Sequence, residues 1–168
     1  MTIFETSRLL VRTQAITDAE HYFRIHGDPE VVKYIRAAKT REQCLEFLQQ
    51  HIELNKTLFP LGRFLVDEKA NSEFVGSFVI IPIENTDQFQ LGYALTKQHW
   101  GKGYATELVK AGLQYISSNT PLNKIYAITE SANASSQHVL LKCGFIFEEE
   151  YLDHETLLKK FVFEIINF

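Results

Sequence analysis

Between Phe89 and Ile116 the chain changes its period once, and that change restricts the fold more than any other feature. Phe89 to Thr96 is rich in aromatic, β-branched and aliphatic residues and reads as a strand. Gly101 and Gly103 follow. Ala105, Leu108, Val109, Gly112, Leu113 and Ile116 then recur every three or four residues, drawing one apolar face on a helix that starts just after the glycine pair. A strand that feeds an amphipathic helix through a short glycine turn must lay that helix on a sheet. The same junction predicts an anion site. Free N–H groups at a helix start point outward, and glycines let the backbone approach a pyrophosphate with no Cβ in the way. The spacing also fits a plain tight turn, so the neighbouring residues must decide.

The rest of the chain supplies a sheet for this helix to cover. Residues 8–12 (RLLVR), Phe64-Leu65-Val66 and Phe74 to Ile83 read as strands, the latter separated by turn residues at Asn71-Ser72 and at 84–87. Lys124 to Thr129, Phe145 to Tyr151 and Leu157 to Ile166 read as later strands, and Asn133 to Cys143 as a short helix closed by Gly144. Helix starts are predicted at Thr17-x-x-Glu20, at Asp28-Pro29-Glu30 and at Thr40-x-x-Gln43, whose Cys44, Phe47, Leu48, Ile52 and Leu54 mostly follow helical spacing. Phe145, Phe147, Phe161 and Phe163 alternate along the last two strands, as core residues do. The fold class is mixed α/β (α+β). With no linker, repeat or low-complexity tract, residues 1–168 are expected to form one domain.

Composition narrows the partners. Seventeen Lys and Arg against twenty-one Asp and Glu give a net charge of −4, so no overall positive field exists to hold nucleic acid. Cys44 and Cys143 have no metal-ligand or disulfide-framework spacing, and the six histidines form no HxxxH or HExxH pattern. No metal site is expected, and a reducing cytoplasm fits best. The chain has no basic-then-apolar leader and no run of eighteen apolar residues, so no membrane association is expected.

Two phosphate motifs are excluded at the glycine turn: Gly103 rather than Ser or Thr follows Lys102, and Thr106 stands where a GxGxxG motif needs its third glycine. What remains is Gln98-x-x-Gly101-x-Gly103-Tyr104-Ala105, which resembles the acetyl-CoA pyrophosphate loop of the GNAT acetyltransferases. Gly92-Tyr93-Ala94-Leu95 and the run from Trp100 to Glu107 look like their ribosomal-protein N-terminal acetyltransferase (RimJ/RimL) branch. Asn133-Ala134-Ser135-Ser136, the later Lys142-x-Gly144-Phe145, and the opening Glu5 to Arg12 with Asp18-Ala19 are similar to further blocks of that branch. The resemblance spans nearly the whole chain and implies a mostly antiparallel twisted sheet of about six to seven strands with helices on both faces.

It also implies a site. Backbone groups of Tyr93, Ala94 and Leu95 would hold the pantetheine arm of acetyl-CoA, and their side chains need not matter. Gln98 and the N–H groups of His99, Trp100, Gly101, Lys102, Gly103, Tyr104 and Ala105 would hold the pyrophosphate, with Lys102 either adding charge at the rim or simply solvated. Asn133 would bond the pantetheine or a water near the thioester, besides serving as a helix N-cap. Ser136 would sit by the sulfur and assist its departure. Leu140 stands where many relatives place an acidic tyrosine, and Ser135 is expected to face elsewhere.

The implied reaction is direct attack of an amine on the thioester in a ternary complex. A lysine-like amine costs about 4.6 kcal/mol to deprotonate at pH 7 and an α-amine about 1 kcal/mol, so the base matters far more for the first. Relatives often carry Glu before the Gly-Tyr of this strand. Here it is Gln90, which leaves the base unassigned, since Glu84, Asp87 and Glu148-Glu149-Glu150 read as turn or solvated edge. The expected acceptor is therefore a primary amine, either a protein N-terminus or a small molecule. A degenerate domain that binds acyl-CoA without turnover is the alternative. Acceptor choice would lie in residues 27–40 and 150–157, where Val31, Val32, Tyr34 and Ile35 suit either a cleft or the core. An exposed late strand could pair two subunits into a homodimer.

Overall fold

The computed structural model describes residues 1–166, so positions 167 and 168 of the expected domain lie outside the described residues. The elements run β1 (Thr2–Glu5), β2 (Leu9–Arg12), α1 (Ala19–His26), α2 (Arg41–Leu58), β3 (Gly62–Glu68), β4 (Phe74–Pro82), β5 (Phe89–Leu95), α3 (Tyr104–Asn119), β6 (Lys124–Glu130), α4 (Ala134–Lys142), β7 (Ile146–Asp153) and β8 (Thr156–Glu164). The strands form one sheet in the order β1-β2-β3-β4-β5-β6-β8-β7. That is one strand more than the upper expected count, because the short β1 carries little period of its own and is held by antiparallel pairing to β2. Every strand pair is antiparallel except β5 with β6. These two are joined through α3, the long connection that a parallel pair requires.

Alternation along β3 shows why helices cover both faces. Phe64 and Val66 join the cluster under α3 and α4 with Phe78, Leu108, Ile116 and Leu140, whereas Leu65 joins Tyr22, Ile25, Cys44 and Leu48 under α1 and α2. Successive strand residues point to opposite faces, so one strand feeds two cores. Among the described residues no helix is long and apolar enough to cross a membrane.

Three local expectations need correction. No helix follows Asp28-Pro29: Asp28 does accept the Glu30 N–H (2.9 Å), but Ile35 and Arg36 both donate back to the Val32 carbonyl, and the segment closes into turns around the buried Val32. Asp18, not Thr17, occupies the N-cap of α1, with its carboxylate taken by the Ala15 N–H (2.7 Å) and bidentately by Arg12. Phe147 is about half exposed rather than core, because the register of β7 slips between Phe147 and Glu149 and breaks the alternation. The Thr40–Gln43 capping box forms as expected, with both reciprocal hydrogen bonds present (2.9 and 3.2 Å). Along α2 the buried positions are Cys44, Leu48 and His51, and Leu54 falls off that stripe into solvent.

Candidate active site

The site is built where the sheet comes apart. β4 and β5 keep seven register pairs, as do β6 and β8, but β5 and β6 share only Gln90 with Tyr126. Beyond that pair the two strands diverge, and the gap opens into a cavity of about 470 Å3. Residues 91–95 form one wall and Ala127, Ile128 and Thr129 the other, while the glycine turn and the starts of α3 and α4 close the ends.

At the glycine turn, Gly101 and Gly103 have φ of +74° and +79°, a region costly for any residue with a Cβ. A Cβ on Gly101 would meet nothing within 4 Å, so the turn presents its backbone to open space. Gly103 is the N-cap of α3, and the first helical bond is Glu107 N–H to the Gly103 carbonyl (3.1 Å). Among the described residues the N–H groups from Gly101 to Thr106 donate to no protein acceptor. Six successive N–H groups thus lie unpaired at the positive end of a helix dipole, and all of these residues but Lys102 line the cavity, the arrangement that binds phosphate oxygens. Arg8 braces the turn from outside: its guanidinium donates to the Lys102 carbonyl (3.0 Å), pairs with Glu107 (2.6 Å) and lies 4.4 Å from the Tyr104 ring centroid.

Of the residues expected at this site, Tyr93, Ala94, Leu95, His99, Trp100, Gly101, Gly103, Tyr104, Ala105, Asn133 and Ser136 line the cavity. Gln98 and Lys102 do not. Gln98 is exposed and donates to the Glu73 carboxylate, and Lys102 is exposed, its ammonium 5.9 Å from the Tyr104 ring centroid. The Leu95 carbonyl is already taken by the Trp100 indole N–H (2.8 Å). His99 is buried against Thr96 Oγ1 (2.6 Å), and burial lowers its pKa, so it acts as a neutral structural ring. Glu68, Glu73 and His99 bring three donor atoms within 4.8 Å of one another. Both carboxylates already accept protein hydrogen bonds, from Tyr104 Oη and Gln98 Nε2.

On the opposite wall Asn133 Oδ1 accepts the Ser136 N–H (3.2 Å), the N-cap bond of α4. The Asn133 amide N–H groups have no acceptor among the described residues. Ser136 Oγ accepts from Tyr93 Oη at 3.4 Å, and burial raises the Tyr93 phenol, which keeps it protonated and a donor. The Tyr93 side chain thus reaches Ser136 across the cavity lining, although the expected contact at this position needed only its backbone. Ser135 also lines the cavity rather than facing elsewhere, because it sits at the first turn of a helix that points into the gap. Leu140 is buried in the lining and offers no proton. Thr129 was not anticipated: its hydroxyl is buried and has no hydrogen-bond partner among the described residues. No motif marks it, because its role depends on where β6 parts from β5.

A second cavity of about 290 Å3 shares residues 91–94, Ile35 and Ile128 with the first, and is roofed by Tyr22, His26, Phe47 and His51 of α1 and α2. Gln90 and Arg63 form part of its floor, and Arg36 stands at its mouth. His51 Nδ1 bonds Tyr22 Oη (3.0 Å), and Arg36 donates to His26 Nδ1 (3.0 Å). Burial, followed by nearby cations, lowers both histidines to about 3, and they are neutral at pH 7. Val31, Tyr34 and Ile35 line the larger cavity, while Val32 alone of that cluster is core. Glu84, Asp87 and Glu148 to Glu150 line neither cavity, so none of them is positioned as a base.

Comparison with known proteins agrees with this geometry. The profile of the acetyltransferase (GNAT) domain family matches residues 8–146. An uncharacterized N-acetyltransferase of Bacillus licheniformis, p20, is 29% identical, covering 96% of this chain and 94% of its own. The crystal structure of a GNAT-family acetyltransferase from Bacillus anthracis superposes with a TM-score of 0.85 at 22% identity, covering 98% of each chain. RimL, a ribosomal L7/L12 alpha-N-protein acetyltransferase solved in complex with coenzyme A, superposes with a TM-score of 0.83 at 13% identity, again over 98% of each chain.

Proposed function

The chain belongs to the GNAT acetyltransferase family, and from that premise we propose that it moves the acetyl group of acetyl-CoA to a primary amine, either a protein N-terminal α-amine or a small-molecule amine. The observation that carries this is the row of unpaired N–H groups from Gly101 to Thr106 at one end of a cavity that runs between β5 and β6. The residues present fit an acyl-CoA. The glycine turn suits a pyrophosphate, and the orphaned Thr129 hydroxyl suits a polar group of the pantetheine arm. The cavity is within the usual size range of small-molecule sites. The CoA-bound RimL neighbour, together with the motifs quoted above, supports placement in the RimJ/RimL-like branch and favours an α-amine.

The chain's own groups would act as follows. Backbone N–H groups along the edge of β5 hold the thioester carbonyl and stabilise the negative charge that develops on its oxygen. The amine attacks directly, with no covalent bond to the protein. Asn133 orients the arm through its free amide N–H groups. Ser136 donates a hydrogen bond to the departing sulfur while accepting one from Tyr93, whose raised pKa keeps that donor in place. The α-amine of a peptide costs only about 1 kcal/mol to deprotonate at pH 7, which suits a site with Gln90 in place of a carboxylate.

This reading takes residues 1–168 as a single cytoplasmic domain, in keeping with the two free, buried cysteines. Ile146, Phe147 and Leu152, exposed on the edge strand β7, are where a second subunit would pair. Calorimetric titration of acetyl-CoA tests the proposal, with ATP and NAD as controls and Gly103→Glu as the negative reference. The variant forces a side chain into positive φ beside Arg8 and puts a carboxylate at the anion site. Micromolar binding that falls at least a hundredfold in the variant is expected, followed by acetyl transfer to peptides or small amines. Equal affinity in the variant, or ATP binding as tightly, refutes the cofactor assignment. Tight binding with no transfer to any amine makes the chain a binding module.

A further inference from the structure

Three of the six arginines are neutralised by carboxylates. Arg8 pairs with Glu107, Arg12 with Asp18 and Asp67, and Arg41 with Glu20. Two arginines at the second cavity are not. The backbone of Arg63 is pinned on both sides by Asn55, which accepts its N–H (2.9 Å) and donates to its carbonyl (2.6 Å). Its half-buried guanidinium, however, makes no hydrogen bond or ion pair with any described residue. Among the described residues Arg36 meets the neutral His26 ring and the Phe47 face, at 5.3 Å from the ring centroid, and no carboxylate. None of the residues lining this cavity is Asp or Glu. The Arg63 guanidinium is thus partly out of water without a counterion, an unfavourable state that a ligand's negative charge would relieve, with the exposed Arg36 beside the entrance.

The position of the pair relative to the thioester path gives it a use. Arg63 lies in one cross-strand row with Val79 and Gly92. Two strand spacings, about 10 Å, separate Arg63 from Gly92, which belongs to the stretch where the two cavities meet. An arginine covers most of that span. Gly92 has no side chain to block the way, and Gln90 brings no competing carboxylate. At about 290 Å3 the cavity is small for a drug-sized ligand, and Phe47, Val79 and Ile81 make part of it apolar.

We propose that the acceptor amine carries a carboxylate held by Arg63 and Arg36, and that it is a free α-amino acid with an apolar side chain. This rests on the acetyltransferase reading above. A polyamine is disfavoured because its additional cations would enter beside two uncompensated guanidinium groups. A peptide N-terminus without a nearby carboxylate leaves those groups unpaired.

The test uses the twenty amino acids and their carboxamides as matched acceptors, with spermidine and a short neutral peptide as controls. Acetyl transfer is measured as kcat/KM, and binding to the protein saturated with CoA is measured by calorimetry. At least one apolar amino acid is expected to exceed its amide by tenfold or more in both measurements. Basicity cannot produce that preference, since the amide's amine is less basic and more often neutral. Arg63→Gln should remove the preference by weakening the acid alone, Arg36→Gln should reduce it, and Arg63→Lys should retain part of it, with acetyl-CoA affinity unchanged as the control for folding. Amides, spermidine or the peptide serving as well as the acids overturns the inference, and so does a preference that survives Arg63→Gln or failure of every amino acid to bind. Loss of acetyl-CoA binding in the unaltered protein, or transfer to no amine at all, instead overturns the acetyltransferase reading. The binding comparison of acid with amide then decides the anion site independently.

Discussion

Replacing Thr129 with Val should move stability and cofactor affinity in opposite directions. Thr129 is 7% exposed, and its Oγ1 has no hydrogen-bond partner among the described residues. The substitution keeps the shape and β-branching that suit a strand and removes only the hydroxyl. Leaving a buried polar group without a hydrogen bond costs about 1 to 3 kcal/mol, so the ligand-free variant should be stabilised by roughly that amount. For a chain of this length that corresponds to a rise in Tm of about 2 to 12 °C. If the hydroxyl bonds acetyl-CoA, the variant forfeits one neutral hydrogen bond worth about 0.5 to 1.5 kcal/mol, a loss of roughly 2- to 13-fold in affinity. Thermal denaturation with and without acetyl-CoA, combined with calorimetric titration, measures both quantities. An unchanged or lower Tm in the ligand-free variant would show that the hydroxyl is already satisfied. Unchanged affinity would show that it does not face the ligand.

Two further outcomes follow from the same geometry. Ser136→Ala should lower kcat at least tenfold while changing acetyl-CoA affinity less than threefold, because its hydrogen bond to sulfur strengthens as the thiolate forms; steady-state kinetics beside calorimetry checks this, and an unaltered kcat removes the role. Acid should unfold the protein partly through Asp18. Burial would raise this carboxyl, but the bidentate Arg12, the Ala15 N–H and His21 outweigh it and hold the pKa at about 2 against an ordinary 3.8. A depressed folded-state pKa means stability that is fully present above about pH 4 and lost as the pH falls toward 2. Asp18→Asn should be less stable at pH 7 and should flatten that acid limb in urea melts across pH 2 to 6; an equally steep limb would mean that other carboxyls govern it.

The elements were legible wherever a period or a cap is written locally. The amphipathic face of α3, the Thr40–Gln43 box, the meander of β3 to β5 and the Asn133 cap all depend on residues a few positions apart, and they form as read. The helix expected at Asp28 did not form: its start signal is genuine, but burial of Val32 and the bond from the Lys39 N–H to the His26 carbonyl (2.7 Å) draw the segment into turns above the cavities. Local propensity is worth tenths of a kcal/mol per residue, and tertiary contacts override it.

The candidate site divides along the same line. The glycine turn is contiguous, and its chemistry lies in the backbone, so the sequence alone determined the anion-binding loop, the helix behind it and the family these motifs resemble. Only the tertiary structure decided what surrounds that loop. The parting of β5 from β6 after Gln90 and Tyr126 leaves the Thr129 hydroxyl without a hydrogen-bond partner among the described residues, and a separation of 43 residues is closed to bring the Tyr93 phenol to Ser136. Arg36 and Arg63 likewise come from a turn and a strand that carry no common motif. Long-range packing brings such groups together without leaving any spacing in the chain, whereas a helix start or a turn is specified by its immediate neighbours.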